Sequence, residues 1–136
     1  RLGAPWLTQY WTRAICNGAY KNKVEGLVGN EDVGQMSAWY VLSAMGFHPV
    51  CPGETRYELT TPLFDRIEIK LDDRYAKGKR FAIKTVGSAS EACYIQSAKL
   101  NGKSLEKCYI DHSDIVNGGE ISFRLASHPN YSWGLE

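Results

Sequence analysis

The tightest constraint on the fold of this chain is a change of periodicity near Pro49. Before it, apolar residues recur at three- and four-residue steps. After it come short alternating runs separated by Gly, Asp, Asn and Ser. A chain patterned in this way is expected to be α+β, with two helices followed by an antiparallel, sandwich-like β region. The helical part covers residues 1–50 and the β part residues 51–136.

Pro5 suits the first position of a helix. Trp6, Leu7, Tyr10, Trp11, Ala14, Ile15 and Ala19 then form one aromatic face, with Thr8, Gln9, Thr12, Arg13 and Asn17 lying elsewhere. This helix should end near Tyr20. A second should run from about Val33 to Met45, with Met36, Trp39, Tyr40 and Ser43 on one side and Val41, Leu42 and Met45 on another. A helix apolar nearly all round is a buried one. Gly46 is placed to end it, and Pro49 prevents its continuation. Two such helices cannot bury both aromatic faces against each other, so the remainder should be exposed or covered by something outside this chain.

The expected strands are Tyr57–Thr60, Arg66–Leu71, Arg80–Thr85, Cys93–Leu100, Cys108–Ile110 and Glu120–Leu125. Ile67, Ile69 and Leu71 alternate with Glu68 and Lys70, the period-two mark of a half-buried strand. Asn101-Gly102 is a strong hairpin signal, and Gly118-Gly119 marks another turn. Several short strands at this spacing suggest a sandwich or jelly roll.

Charge and composition exclude several classes. The 136 residues carry a net charge of +1, which gives no electrostatic case for nucleic acid or an acidic membrane surface. The charge-free stretch from Val33 to Gly53 contains Gln35, His48 and two prolines, and its continuous apolar part is about half a membrane span. Cys16, Cys51, Cys93 and Cys108 contain no C-x-x-C pair, which argues against zinc. They leave three disulfide pairings open, beside the simpler reading of four buried thiols. The chain opens Arg1-Leu2-Gly3 without a signal peptide, as a processed or excised product would, so nothing follows about its compartment.

The chemistry concentrates in Gly29-Asn30-Glu31-Asp32-Val33-Gly34-Gln35. Asp32 followed by Gln35 spells a capping box at a helix start. The same residues also suit a general base. In extended backbone Asn30 and Asp32 share a face while Glu31 points away toward the scaffold. A helix N-terminus favours the ionised carboxylate, which can then orient and deprotonate a water held with Asn30. Inverting glycoside hydrolysis needs two carboxyl groups roughly 6.5–9.5 Å apart. Adjacent residues cannot easily flank one glycosidic bond, so Glu31 is a poor acid for Asp32. Trp39 and Tyr40 are read as core or as a sugar-stacking platform, and His48 as a packing residue or part of a sugar cleft. His112-Ser113-Asp114 has the residue types of a hydrolytic triad but is read as a turn. Lys77-Gly78-Lys79-Arg80 is read as a solvated hairpin tip.

The run from Gly26 through Gly29-Asn30-Glu31-Asp32-Val33-Gly34-Gln35-Met36-Ser37-Ala38-Trp39-Tyr40 to Val50 resembles the C-terminal signature of glycoside hydrolase family 92. Gly3-Ala4-Pro5-Trp6 with Gln9-Tyr10-Trp11 resembles the helix before that signature. Thr61-Pro62-Leu63-Phe64-Asp65 resembles the family's SPLFD segment, with Thr for Ser. Tyr94-Ile95-Gln96-Ser97 with Leu100-Asn101-Gly102 resembles its YIQS and LNG segments. His112, Asp114-Ile115, Gly118-Gly119, Pro129-Asn130 and Trp133-Gly134 fit the segments that follow.

The resemblance implies a calcium-dependent, exo-acting, inverting α-mannosidase whose helices close an (α/α)6 barrel. It maps the base onto Asp32, with Asn30 where some members carry a second Asp. Glu31, Gln35, Trp39 and His48 become supporting or substrate-binding candidates, and no metal ligand is assigned within the chain. The family's acid motif Glu-Gly-x-x-Trp-Gln-Tyr and calcium motif Gly-Asn-Glu-Pro do not occur here. The expectation is therefore a C-terminal fragment of a secreted or periplasmic enzyme, inactive alone. Its partners would be mannose-containing glycans, such as those with terminal α-1,2-linked mannose, and the missing N-terminal part. The alternative is a non-catalytic carbohydrate-binding or structural β-sandwich module.

Overall fold

The computed structural model describes residues 3–135. Helix α1 spans Pro5–Gly18 and α2 Gln35–Met45; then follow β1 Phe47–His48, β2 Arg56–Leu59, β3 Arg66–Lys70, β4 Arg80–Val86, β5 Tyr94–Leu100, β6 Lys103–Leu105, β7 Tyr109–Asp111, the short helix α3 His112–Val116 and β8 Gly119–Ala126. The α+β reading holds. Each strand expected from the alternation is present within a residue or two. The Asn101-Gly102 hairpin joins β5 to β6, pairing Leu100 with Lys103, with both turn residues at the positive φ that this tight turn requires.

The strands form two sheets, ordered β1-β2-β7 and β3-β4-β8-β5-β6. The expectation of purely antiparallel pairing is corrected at the centre of the larger sheet, where β4 runs parallel to β8 from Phe81↔Gly119 to Val86↔Arg124. The pattern of β4 carries the reason: Phe81, Ala82 and Ile83 are all buried, and a strand covered on both faces reads as a continuous apolar run. The core gathers Phe81, Ile83, Ile95, Ile110, Ile121 and Phe123, and Trp133 closes one end by donating its indole N–H to Leu105 O at 2.9 Å.

Helix α1 packs on β5 with its polar side inward. Pro5, Gln9, Thr12 and Cys16 are the buried positions. Gln9 is only 2% exposed, and its Oε1 accepts the Ile95 N–H of β5 at 3.0 Å. Arg13 donates to Ala89 O at 2.5 Å and Pro62 O at 2.8 Å, fastening the helix to two loops. Burial lowers the pKa of this guanidinium. The outward face is apolar: Leu7, Tyr10, Trp11 and Ile15 are exposed, Trp11 by 57%.

Helix α2 ends at Gly46, whose φ is +104°. A Cβ there would lie 2.7 Å from Pro62 Cγ, so glycine is needed for both the turn and the packing. All four cysteines are free thiols, Cys16 and Cys108 buried, Cys51 and Cys93 half-buried.

Gln9→Leu keeps the size of the side chain but strands the Ile95 N–H. It is expected to lower the unfolding free energy by about 1–3 kcal/mol, read as a lower urea midpoint. An unchanged midpoint would show that the bond contributes nothing.

Candidate active site

The acidic segment runs directly into α2, and its backbone is unusual. Asp32 has φ +52°, Val33 +61° and Gly34 +94°, three left-handed residues in succession. The left-handed conformation costs an L-residue roughly 1–2 kcal/mol, and for a β-branched residue such as Val it is a marked outlier. Val33 is fully exposed, so its own burial does not offset the strain. Strain of this kind persists only where surrounding bonds hold it.

Those bonds come from the segment itself. Gly34 is the N-cap of α2 and offers no side chain. The Gln35 N–H points to Asp32 O at 3.4 Å and the Met36 N–H donates to Glu31 O at 3.2 Å. The Ser37 N–H donates to the Glu31 carboxylate Oε1 at 3.1 Å. The first three amides of α2, which a helix leaves without internal acceptors, therefore all face acceptors in the preceding turn.

This corrects the expected capping box. Asp32 and Gln35 do not cap α2, because the left-handed turn leaves Asp32 two residues short of the N-cap, which is Gly34. Glu31 supplies the side-chain acceptor instead. The helix also begins at Gln35 rather than Val33. The premise of extended backbone fails at Asp32 too, so shared strand facing gives no reason for Asn30 and Asp32 to point together. Both side chains are exposed, and the Asp32 carboxylate has no hydrogen bond or ion pair among the described residues. A true capping box occurs elsewhere: Asp114 Oδ2 accepts the Asp111 N–H at 2.9 Å at the start of α3. His112, Ser113 and Asp114 thus form a helical turn, and His112 Nδ1 lies 3.1 Å from the Tyr57 hydroxyl.

Behind the turn stands an aromatic wall. Tyr20, just past α1, donates its hydroxyl to Met36 O at 3.0 Å. Its ring stacks on Trp39 with centroids 5.8 Å apart and leans on Tyr40 at 4.8 Å. Burial raises the Tyr20 pKa, with Cys16 and Glu31 adding to the effect, so the phenol stays protonated and able to donate. Trp39 in turn meets the His48 ring at 6.2 Å. Glu31, Trp39 and His48 thus belong to the scaffold around the turn, while Gln35 is exposed on the first helical position. In the sequence Tyr20 marks only the end of the first helix. Its role depends on the path of residues 21–30, which no local pattern announces.

Among the described residues no three His, Cys, Asp or Glu side chains converge as a metal site would require. The residues present do not by themselves fit the expected calcium. A cavity of about 320 Å³ lies away from the turn, between Pro5 and Leu7 of α1 and Val50, Leu59 and Cys108. Its apolar lining makes it a seam between helix and sheet rather than a site for polar chemistry.

Burial lowers the pKa of His48 below its ordinary value of 6.5, and its Nδ1 is buried without a partner among the described residues. Between the two values the unfolded chain binds more protons than the folded one, so stability rises with pH across that window. Stability is therefore expected to fall as pH drops below about 6.5, and His48→Phe to lose that part of the dependence. Urea midpoints at about pH 5 and about pH 7 check this. An equal slope in both proteins would remove His48 from the account.

Comparison with known proteins gives the segment its context. The family model described as the glycosyl hydrolase family 92 catalytic domain matches residues 1–127. An uncharacterized secreted glycosidase of Arthroderma benhamiae is 31% identical over 134 residues, 97% of this chain and 17% of that protein. A family GH92 α-mannosidase of Bacteroides thetaiotaomicron, solved with mannoimidazole, superposes with a TM-score of 0.90 at 32% identity, over 99% of this chain and 17% of its own. The family GH92 inverting mannosidase of the same organism superposes with a TM-score of 0.87 at 39% identity, over 97% of this chain and 17% of its own. The chain thus spans about a sixth of the length of these relatives. Both the matched sequence and the superposed fold run through the helices, the strained turn and the β region: the chain belongs to glycosyl hydrolase family 92.

Proposed function

We propose that this chain is the C-terminal part of an exo-acting, inverting α-mannosidase that hydrolyses terminal α-mannosides of glycans, such as α-1,2-linked mannose, with Asp32 as the general base. The observation that carries this reading is the exposed carboxylate of Asp32, without a partner among the described residues, on a strained turn in a chain that superposes almost entirely on solved mannosidases. The capping role that would have occupied Asp32 belongs to Glu31. Asp32 is left able to accept a proton from a water, with Asn30 as a second polar group nearby in sequence. The water then attacks the anomeric carbon on the face opposite the leaving group, and a separate acid protonates the departing oxygen. Glu31 is engaged with α2, so that acid comes from another part of the longer enzyme.

The missing part also accounts for the outward apolar face of α1. Trp11, Leu7, Ile15 and Tyr10 are too large a patch for a lone surface, and preceding helices of the same polypeptide would cover them. Calcium belongs to this reading as a cofactor of the longer enzyme, held by ligands beyond this chain. Secretion or export to the periplasm suits the reading and is supported by the secreted relative. No helix among the described residues is long and apolar enough to cross a membrane. A separate carbohydrate-binding module is less well supported, because the catalytic-domain model continues through most of the β region.

The test uses the full-length gene product. Asp32→Ala is expected to lower kcat about 10²–10⁴-fold with little change in KM, while the isolated chain releases no mannose. Full activity of the Asp32→Ala enzyme would exclude Asp32 as the base.

A further inference from the structure

The turn that carries Asp32 is under strain, and something specific must hold it. We propose that Glu31 is the positioning residue for the base: its carboxylate, bonded to the third amide of α2, locks the left-handed turn that aims Asp32. This inference rests on the assignment of Asp32 as base.

Four observations carry it. Asp32 and Val33 both lie at positive φ without being glycine, so the turn relaxes unless it is anchored. Of the two anchors that Glu31 provides, the backbone one to Met36 survives any substitution, and the side-chain one to Ser37 does not. The helix end to which it is tied is itself fixed, since the Tyr20 hydroxyl holds Met36 O from the other side. Finally, Glu31 Oε2 is buried with no partner among the described residues. Withdrawing a carboxylate oxygen from water without a donor is unfavourable, which fits a residue placed for geometry rather than for stability. A base must stand within hydrogen-bond reach of the water it deprotonates, and a displacement of about 1 Å can cost 10²-fold in rate.

The experiment measures kcat and KM per folded molecule in the full-length enzyme. Glu31→Ala should lower kcat about 10–100-fold with KM nearly unchanged. Glu31→Gln keeps a carbonyl acceptor for the Ser37 N–H and should recover most of the loss. Adding Val33→Gly to Glu31→Ala removes the steric penalty at the strained position and should restore part of kcat without any cap. Near-normal activity of Glu31→Ala would overturn the proposal. So would an equal loss in Glu31→Gln, or no recovery on adding Val33→Gly. Asp32→Ala is run beside them: if it is inactive while Glu31→Ala is fully active, only the positioning role fails. If Asp32→Ala is active, the base assignment itself fails.

Discussion

Helix α1 is held to the sheet by polar groups, and that attachment decides how the rest of the chain presents itself. The buried carboxamide of Gln9 takes the Ile95 amide of β5. The guanidinium of Arg13 spans two carbonyls that the loops at Pro62 and Ala89 leave unpaired. With its polar stripe so engaged, the helix has no choice but to turn Leu7, Trp11 and Ile15 outward. The usual direction of amphipathicity is reversed, since apolar stripes normally face the nearest core. The reversal has a local benefit: the Ile95 N–H finds an acceptor, and the Pro62 and Ala89 carbonyls find donors.

The second helix shows the same economy at its start. Its N-cap is a glycine with nothing to offer, yet none of its first three amides is left without an acceptor. The acceptors come from a turn whose handedness is opposite to that of the helix it feeds. That arrangement separates two duties that usually fall on one residue. Glu31 closes the helix, while the carboxylate of Asp32, one position later, makes no hydrogen bond or ion pair among the described residues. Adjacent carboxylates thus acquire different surroundings, Glu31 tucked against the helix start and Asp32 exposed.

The α+β order, the two helices and six of the eight strands among the described residues were legible because they rest on period and on punctuation by Gly46, Pro49 and Asn101-Gly102. Glu31 and Asp32 stood out by their residue types alone. Three things were not legible. The left-handed run at Asp32 and Val33 is not announced locally: Asp adopts positive φ more readily than most residues, but a β-branched Val does not, and Asp32 with Gln35 spells an ordinary capping box instead. The orientation of α1 depends on tertiary demand for an acceptor at the Ile95 N–H and for donors at the Pro62 and Ala89 carbonyls, which no window around Gln9 contains. The parallel pairing of β4 with β8 joins strands more than 30 residues apart, and alternation says which face a strand buries but not which neighbour it takes.

That pairing bears on how the chain is built. The five-stranded sheet is ordered β3-β4-β8-β5-β6, so its last strand in sequence is its middle one in space. The hairpin β3-β4 and the hairpin β5-β6 can each form early from local contacts, but neither touches the other except through β8. The finished sheet therefore cannot close until Gly119–Ala126 is available to pair with both β4 and β5. Non-local closure of this kind is slow and leaves strand edges exposed meanwhile. The central sheet is thus a structure completed by insertion rather than by growth.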